Sequence, residues 1–492
     1  YLLGTLMRKL IALILVSIMM PSFSGCFSEP EVEEVVLKNP FDDFQNEIPI
    51  TTFYHFPNGT WINETEDMYF NGSLVLEGNN SPFFAEGTYY SVGYTTFEPT
   101  LGITSSGAIF FTNFNGLGEG THIIRSTDQG QTWVDVGPFN QIDEDIGQTP
   151  NSNDPYIYVD KFNDKLVKFD MHALTAMFVE YSDNDGESWS IPYPVEGYYA
   201  PQDHQSIASM PHENAIVGDV VYVYCINTGS PALGAQCSRS LDGGHTWDVQ
   251  RIGYPFGTPQ CSGLHGHLAG GNDGAIYRGN PSCDGPAVYR SIDGGYTWSE
   301  HTITTKIGMQ DGWHSHEVAT AVDEANNVYA MWISEDHMPY VAYSRDHGDT
   351  WSDPWMVAPP NVTETGFPTI FAGEEGRVAF GYIGEEVDEG GWSGYMGIIT
   401  DAFNEHPLIT TVAVNQPDDA LDEDDDCGDK RCGGFGDFID IEIDDEGRPW
   451  IALAHNPAGE MGIVGTLIQG PTLYGDLKQL TPLMPGGRDT LP

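Results

Sequence analysis

The chain has 492 residues, with 57 glycines, 32 prolines and 12% aromatic residues. Its 72 acidic residues against 19 basic ones give a formal net charge of -53 at pH 7. That sign excludes general nucleic-acid binding, which needs a basic surface. It suits a solvated, self-repelling protein of a salty environment. The apolar runs are short and punctuated by turn residues, as in many-stranded β proteins, and no long helical periodicity follows the amino terminus.

Residues 1–26 read as a secretion signal. Met7-Arg8-Lys9 is the charged start, Leu10–Met20 the apolar core, and Phe23-Ser24-Gly25-Cys26 the small-residue close. This end resembles the lipobox of prokaryotic lipoproteins, although Phe23 replaces the usual aliphatic residue. The resemblance implies lipidation of Cys26 and a secreted chain held at the outer cell surface by lipid. An uncleaved anchor is the alternative, for which the apolar run is short. Residues 27–50 are acidic, contain Pro30 and Pro40, and read as a tether. Residues 51–95 form an extension with strand-like runs such as Ser73–Leu76, able to complete a ring.

From residue 96 onwards the chain is repetitive. The pattern S-x-D-x-G-x-T-W occurs as Ser126–Trp133, Ser182–Trp189, Ser240–Trp247, Ser291–Trp298 and Ser344–Trp351, with Asn184 and Ser188 the substitutions in the second copy. Successive copies start 56, 58, 51 and 53 residues apart, the spacing of a repeat architecture. The Asp and Ser/Thr side chains can bond nearby amides, the Gly can take a left-handed backbone, and the Trp can pack inward. Each repeat orders two strands around a Gly/Asn/Asp turn, then a loop, then a third strand running into the motif. Two further units lack it: Pro368–Phe371 with Val378–Ile383, and Phe438–Ile443 with Pro449–Ala454. Seven units predict a seven-bladed β-propeller of four-stranded antiparallel blades over 96–492; a six-bladed ring is the alternative. A closed ring of this kind is expected to be a monomer.

The motif resembles the Asp box, or BNR repeat, of sialidase-like propellers. In that family it is a hairpin turn between the third and fourth strands, on the face opposite the active site. The resemblance implies a structural role for the box and a sialidase-like fold. The lead expectation is then a surface-anchored glycoside hydrolase acting on terminal sugars of extracellular glycans.

Six cysteines remain after Cys26. Cys225 and Cys237 could face across a hairpin, Cys261 and Cys283 bracket the first two strands of one repeat, and Cys427 and Cys432 close a short loop. Asp418–Asp429 is the densest acidic run; it lacks the EF-hand order and reads as an exposed loop able to bind calcium.

With the boxes at the bottom, first strands start and second strands end at the top. The top face then receives Asp203, His204, His265, His267, His316, Glu317 and Asp437 from the first set, and Arg278, His337, Glu385 and His455 from the second. Candidate catalytic residues are His265, His316, Glu317 and Asp437, together with a tyrosine–carboxylate pair, Tyr382 and Glu385. Candidate substrate-binding residues are Arg278, Asp203, His204, His337 and His455. His265 and His267 share one strand face, and with His316 could hold zinc or manganese, since imidazole suits these better than calcium. A polar, water-filled channel mouth is the simpler alternative. The arginines preceding the boxes should lie at the bottom and be structural.

Sialidases clamp a sugar carboxylate with three arginines and use a tyrosine nucleophile activated by a glutamate. Here only Arg278 projects to the top by the repeat order, and no Arg-Ile-Pro element is present. Two other classes therefore stand beside the hydrolase: a polysaccharide lyase or metal-dependent enzyme with a His-rich mouth, and a non-catalytic propeller for glycan binding or adhesion.

Overall fold

The computed structural model describes residues 52–57, 61–62, 83, 85–96, 98–113, 122–137, 156–172, 174, 176–195, 202–228, 234–259, 264, 266–309, 317–360, 362–386, 391–415, 419–421, 438–455 and 461–487. All lie in the unit Ile48–Pro492. The signal, the tether, Ser73–Leu76, Cys427, Cys432 and most of Asp418–Asp429 fall outside them.

Seven antiparallel sheets form, and no helix occurs among the described residues. The innermost strands are Leu101–Ile103, Tyr156–Val159, Gln202–Pro211, Leu268–Gly270, Val318–Val322, Val362–Ala372 and Asp440–Ile443. Each touches the next, and the last touches the first, so the sheets close into a ring. The protein is a seven-bladed β-propeller; the six-bladed alternative is excluded. The extension closes it: Glu86–Thr95 pairs with Met461–Gln469 as the outer strand of blade seven. Thr52–His55 pairs with Ile409–Ala413 and widens blade six.

Seven apolar cores hold the ring, one at each junction between neighbouring blades. Both faces of every blade are therefore covered, which is why the strands read as apolar runs more than as strict alternation. Each box tryptophan packs into the core between its own blade and the preceding one. Trp298 is buried, and Trp133, Trp189, Trp247 and Trp351 are partly so.

The five box turns share one hydrogen-bond scheme. In blade four the Ser291 hydroxyl donates to Asp293 Oδ1 at 2.8 Å and accepts from the Gly295 amide at 2.9 Å. Asp293 accepts the Thr297 amide at 2.8 Å and its hydroxyl at 2.6 Å. Gly295 has φ +77°, a left-handed backbone that glycine adopts without penalty. Arginines preceding the boxes tie adjacent blades at this face: Arg125 donates to the Asp185 carbonyl, Arg239 to that of Asp293 and Arg290 to that of His347.

Cys225 and Cys237 are register partners on neighbouring strands and form a disulfide. Cys283 is disulfide-bonded as well.

Candidate functional site

The seven inner strands surround an axial cavity of about 490 Å3. Its wall can be sorted into levels. Take, in each blade with a box, the inner-strand residue paired with the second-strand residue that itself faces the box serine: Ile103, Val159, Ser209, Gly270 and Val322. Ala372 and Ile443 hold the same place at the hairpins of blades six and seven. Five residues upstream of these lie Glu98, His204, Glu317, Phe367 and Phe438; the equivalents Asp154 and His265 are outside the described residues. Glu98, His204 and Phe367 all take left-handed backbones, with φ of 53°, 60° and 54°. A bulge between Asp203 and Ser206 accompanies this turn in blade three. Re-aiming a side chain is what bulges do beside sites.

His204 Nε2 meets Glu317 Oε1 at 2.7 Å, and both side chains are buried. Two residues further along, His267 Nδ1 meets Asp440 Oδ1 at 3.0 Å, while Asp440 Oδ2 accepts the Leu101 amide at 2.9 Å. Phe438 joins the two pairs, its ring centre 5.0 Å from that of His204 and 5.5 Å from that of His267. Tyr156 packs on His267 at 5.4 Å; its hydroxyl bonds Ser206 and is pushed up in pKa, chiefly by burial. His267 Nε2 is buried and has no hydrogen-bond partner among the described residues. An imidazole oriented by a carboxylate, with its other nitrogen open, can act as a base or ligate a metal. The expected co-ligands His265 and His316, and Asp437, lie outside the described residues.

The remaining expectations separate. His337 pairs with Glu364 at 3.2 Å at the junction of blades five and six, and His455 with Asp419 at 3.4 Å beside blade seven. Asp203 accepts the His204 amide at 2.9 Å and so holds the strained turn.

Two expectations are corrected. Arg278 does not project to the top face as a substrate-binding group. It is fully buried in blade four, donates to the Gly253 carbonyl and Asn280, and lies over the Tyr289 ring at 4.6 Å. Tyr382 and Glu385 are not a nucleophile pair. Residues three apart on a strand face opposite ways, and Tyr382 is buried in the core, stacked on Tyr395 at 5.3 Å. Burial holds the Tyr382 phenol well above its usual pKa, with Glu386, not Glu385, adding to the effect.

At the box end the cavity reaches Lys161, Asp164, Asn272, Glu324 and Asp445 on the hairpins between first and second strands. Lys161 pairs with Glu324 at 3.7 Å. One residue upstream of the reference level, Glu442 enters the wall; sequence reasoning had passed it over. No described arginine lines the cavity.

No protein-family profile and no curated protein matches the chain. Many solved structures resemble it. The lectin BP39L from Burkholderia pseudomallei is 10% identical, with TM-score 0.46 over 79% of this chain and 99% of its own. YCF48 from Cyanidioschyzon merolae is 12% identical, with TM-score 0.43 over 77% and 98%. The NanB sialidase from Streptococcus pneumoniae is 13% identical, with TM-score 0.39 over 80% and 72%. At these values the likeness says nothing of activity.

Proposed function

We propose that this propeller captures or processes extracellular glycans at its axis, and that it does so without a sialic-acid clamp. One observation carries the reading. The inner strands bring the His267–Asp440 pair to a cavity that no described arginine lines, with His204–Glu317 buried two residues upstream. A sugar carboxylate is recognised best by the planar guanidinium fork. Every described arginine is instead spent on blade junctions, carbonyls or aromatic rings, with Arg278 and Arg448 fully buried. Among the described residues, neither the expected arginine nor the expected tyrosine–glutamate pair reaches the cavity.

Incubation with sialylated, uronate-containing and amino-sugar glycans tests this. We expect glycan binding that His267→Asn weakens, and no free sialic acid. Release of sialic acid would overturn the reading, as would binding indifferent to His267→Asn.

A catalytic version is favoured by one detail, the buried Nε2 of His267, without a hydrogen-bond partner among the described residues and with Asp440 behind the ring. That arrangement suits proton abstraction from a sugar ring, as a lyase requires. Unsaturated-uronate absorbance, present in the wild type and lost in His267→Asn, is its signature; its absence leaves capture alone.

A further inference from the structure

We propose that the axial cavity binds a primary ammonium group, with Glu442 as its counter-anion. This rests on the axial reading above and names the chemical group recognised there.

At the level of Glu442, four blades contribute Gly102, Ala208, Ala269 and Ala321, and two contribute the rings of Tyr158 and Phe371. The three alanines and the two rings line the cavity, Gly102 packs on Val159 of the next blade, and Glu442 is the sole charge at this level. It has no hydrogen bond or ion pair with any described residue. Its neighbours are already engaged. Asp440 is taken by His267 and the Leu101 amide. Lys161, the cavity's one described cation, is taken by Glu324. Tyr158 bonds Ser209 at 2.8 Å.

The wall thus holds five carboxyl groups, Asp164, Glu324, Asp440, Glu442 and Asp445, against one lysine. Carboxyl acceptors outnumber cationic donors there. An ammonium group supplies three donors and no acceptor, and aromatic faces attract it further. Burial, reinforced by Asp440 and only partly opposed by Lys161, holds the Glu442 carboxyl well above the usual range. A cation beside it would reverse that. A divalent metal fits less well: among the described residues no three His, Cys, Asp or Glu side chains assemble at metal-binding distance.

The purified chain is titrated calorimetrically with glucosamine, putrescine, glucose and calcium chloride at physiological salt. Glucosamine and putrescine are expected to bind and glucose not to. Glu442→Gln should weaken amine binding at least about tenfold, the change expected for losing one charged hydrogen bond. Glu187→Gln, at an exposed box turn, should change nothing and controls for the chain's overall charge. Should the Gln variant fail to fold, Glu442→Asp keeps the charge but shortens its reach, and should weaken binding severalfold. Tighter glucosamine marks an amino sugar, tighter putrescine a polyamine; both sustain the proposal. Glucose binding as tightly as glucosamine would refute the ammonium site while leaving the axial glycan reading intact. Undiminished binding by Glu442→Gln, calcium displacing the amines, or no binding by either amine would each overturn the proposal.

Discussion

Replacing Asp293 by alanine isolates what the box turn contributes. The carboxylate receives four hydrogen bonds: from the Ser291 hydroxyl at 2.8 Å, the Tyr296 amide at 3.0 Å, and the Thr297 amide and hydroxyl at 2.8 and 2.6 Å. A net hydrogen bond contributes roughly 0.5–1.5 kcal/mol, and more to a charged acceptor. Simple addition overstates the loss, because Tyr296 and Thr297 are exposed and water replaces the missing acceptor. About 1–2 kcal/mol is therefore expected, read as a lower urea midpoint at pH 7 with unchanged slope. Asp293→Asn should lose less than half of this. Blade two already uses Asn184, whose Oδ1 accepts the Ser188 amide at 3.0 Å and whose Nδ2 donates to the Ser188 hydroxyl at 2.9 Å. The effect should also depend on pH. Partial burial works against ionisation of Asp293, but the Thr297 and Ser291 hydrogen bonds outweigh it and hold its pKa below the usual value. A depressed carboxyl stabilises above its unfolded pKa, near 3.9, and the benefit fades as pH falls through the lower folded value. The gap between wild type and Asp293→Ala should thus narrow below about pH 4. Equal midpoints at pH 7, or an Asn variant as damaged as the Ala one, would refute this account of the turn.

Lys168→Met should destabilise by about 3–5 kcal/mol, because it strands two buried carboxylates. They lie 2.7 Å (Asp170) and 2.8 Å (Glu180) from the ammonium group. Adding Glu180→Gln should recover part of the loss in the same urea assay. Gly295→Ala should cost about 1–3 kcal/mol, since its φ is +77° and a Cβ would lie 2.6 Å from Val223 of the preceding blade. Gly294→Asn should be nearly neutral, because Gln129, Asp185 and His347 occupy the same place at φ of 61°, 55° and 61°. Cys26→Ser should release the chain from the membrane fraction or stall its processing; unchanged partitioning with an unchanged N-terminal mass would remove the lipid anchor.

The blade count was legible because turns repeat where cores differ. Blades six and seven lack the box, yet Glu374-Glu375-Gly376 and Asp444–Gly447 still mark their first hairpins. Gly376 and Gly447 take φ of 78° and 90° there, a constraint that only certain residues satisfy cheaply. The Cys225–Cys237 pairing was legible for a similar reason, since a hairpin fixes which residues face each other. Arg278 was misplaced because strand order gives height along the axis but not which side of the sheet a residue faces. Its guanidinium turns into the junction with blade three, where the Gly253 carbonyl accepts it. No local pattern announces a carbonyl 25 residues away. The separation of Tyr382 from Glu385 was within reach, because alternation forbids that pair to share a face.

The same alternation was readable at Asp440-Ile441-Glu442-Ile443. It places two carboxyl groups on one face, two residues apart, while Ile441 and Ile443 enter the core between blades six and seven. What the sequence could not supply was the company of that face. Asp440 meets a histidine from blade four, 173 residues away, and so remains a satisfied hydrogen-bond partner. Glu442, one step deeper, shares the cavity wall with alanines and aromatic rings of other blades and has no ion pair among the described residues. Two acids of one strand therefore differ in chemistry because the ring brings different neighbours to each level. A closed propeller sets those levels by the count from its hairpins, so one residue inserted between Asp440 and Glu442 would turn Asp440 away from His267. Such an insertion should weaken the glycan binding that depends on His267 even if the ring still closed, whereas an insertion in the box turn of blade four should leave it intact.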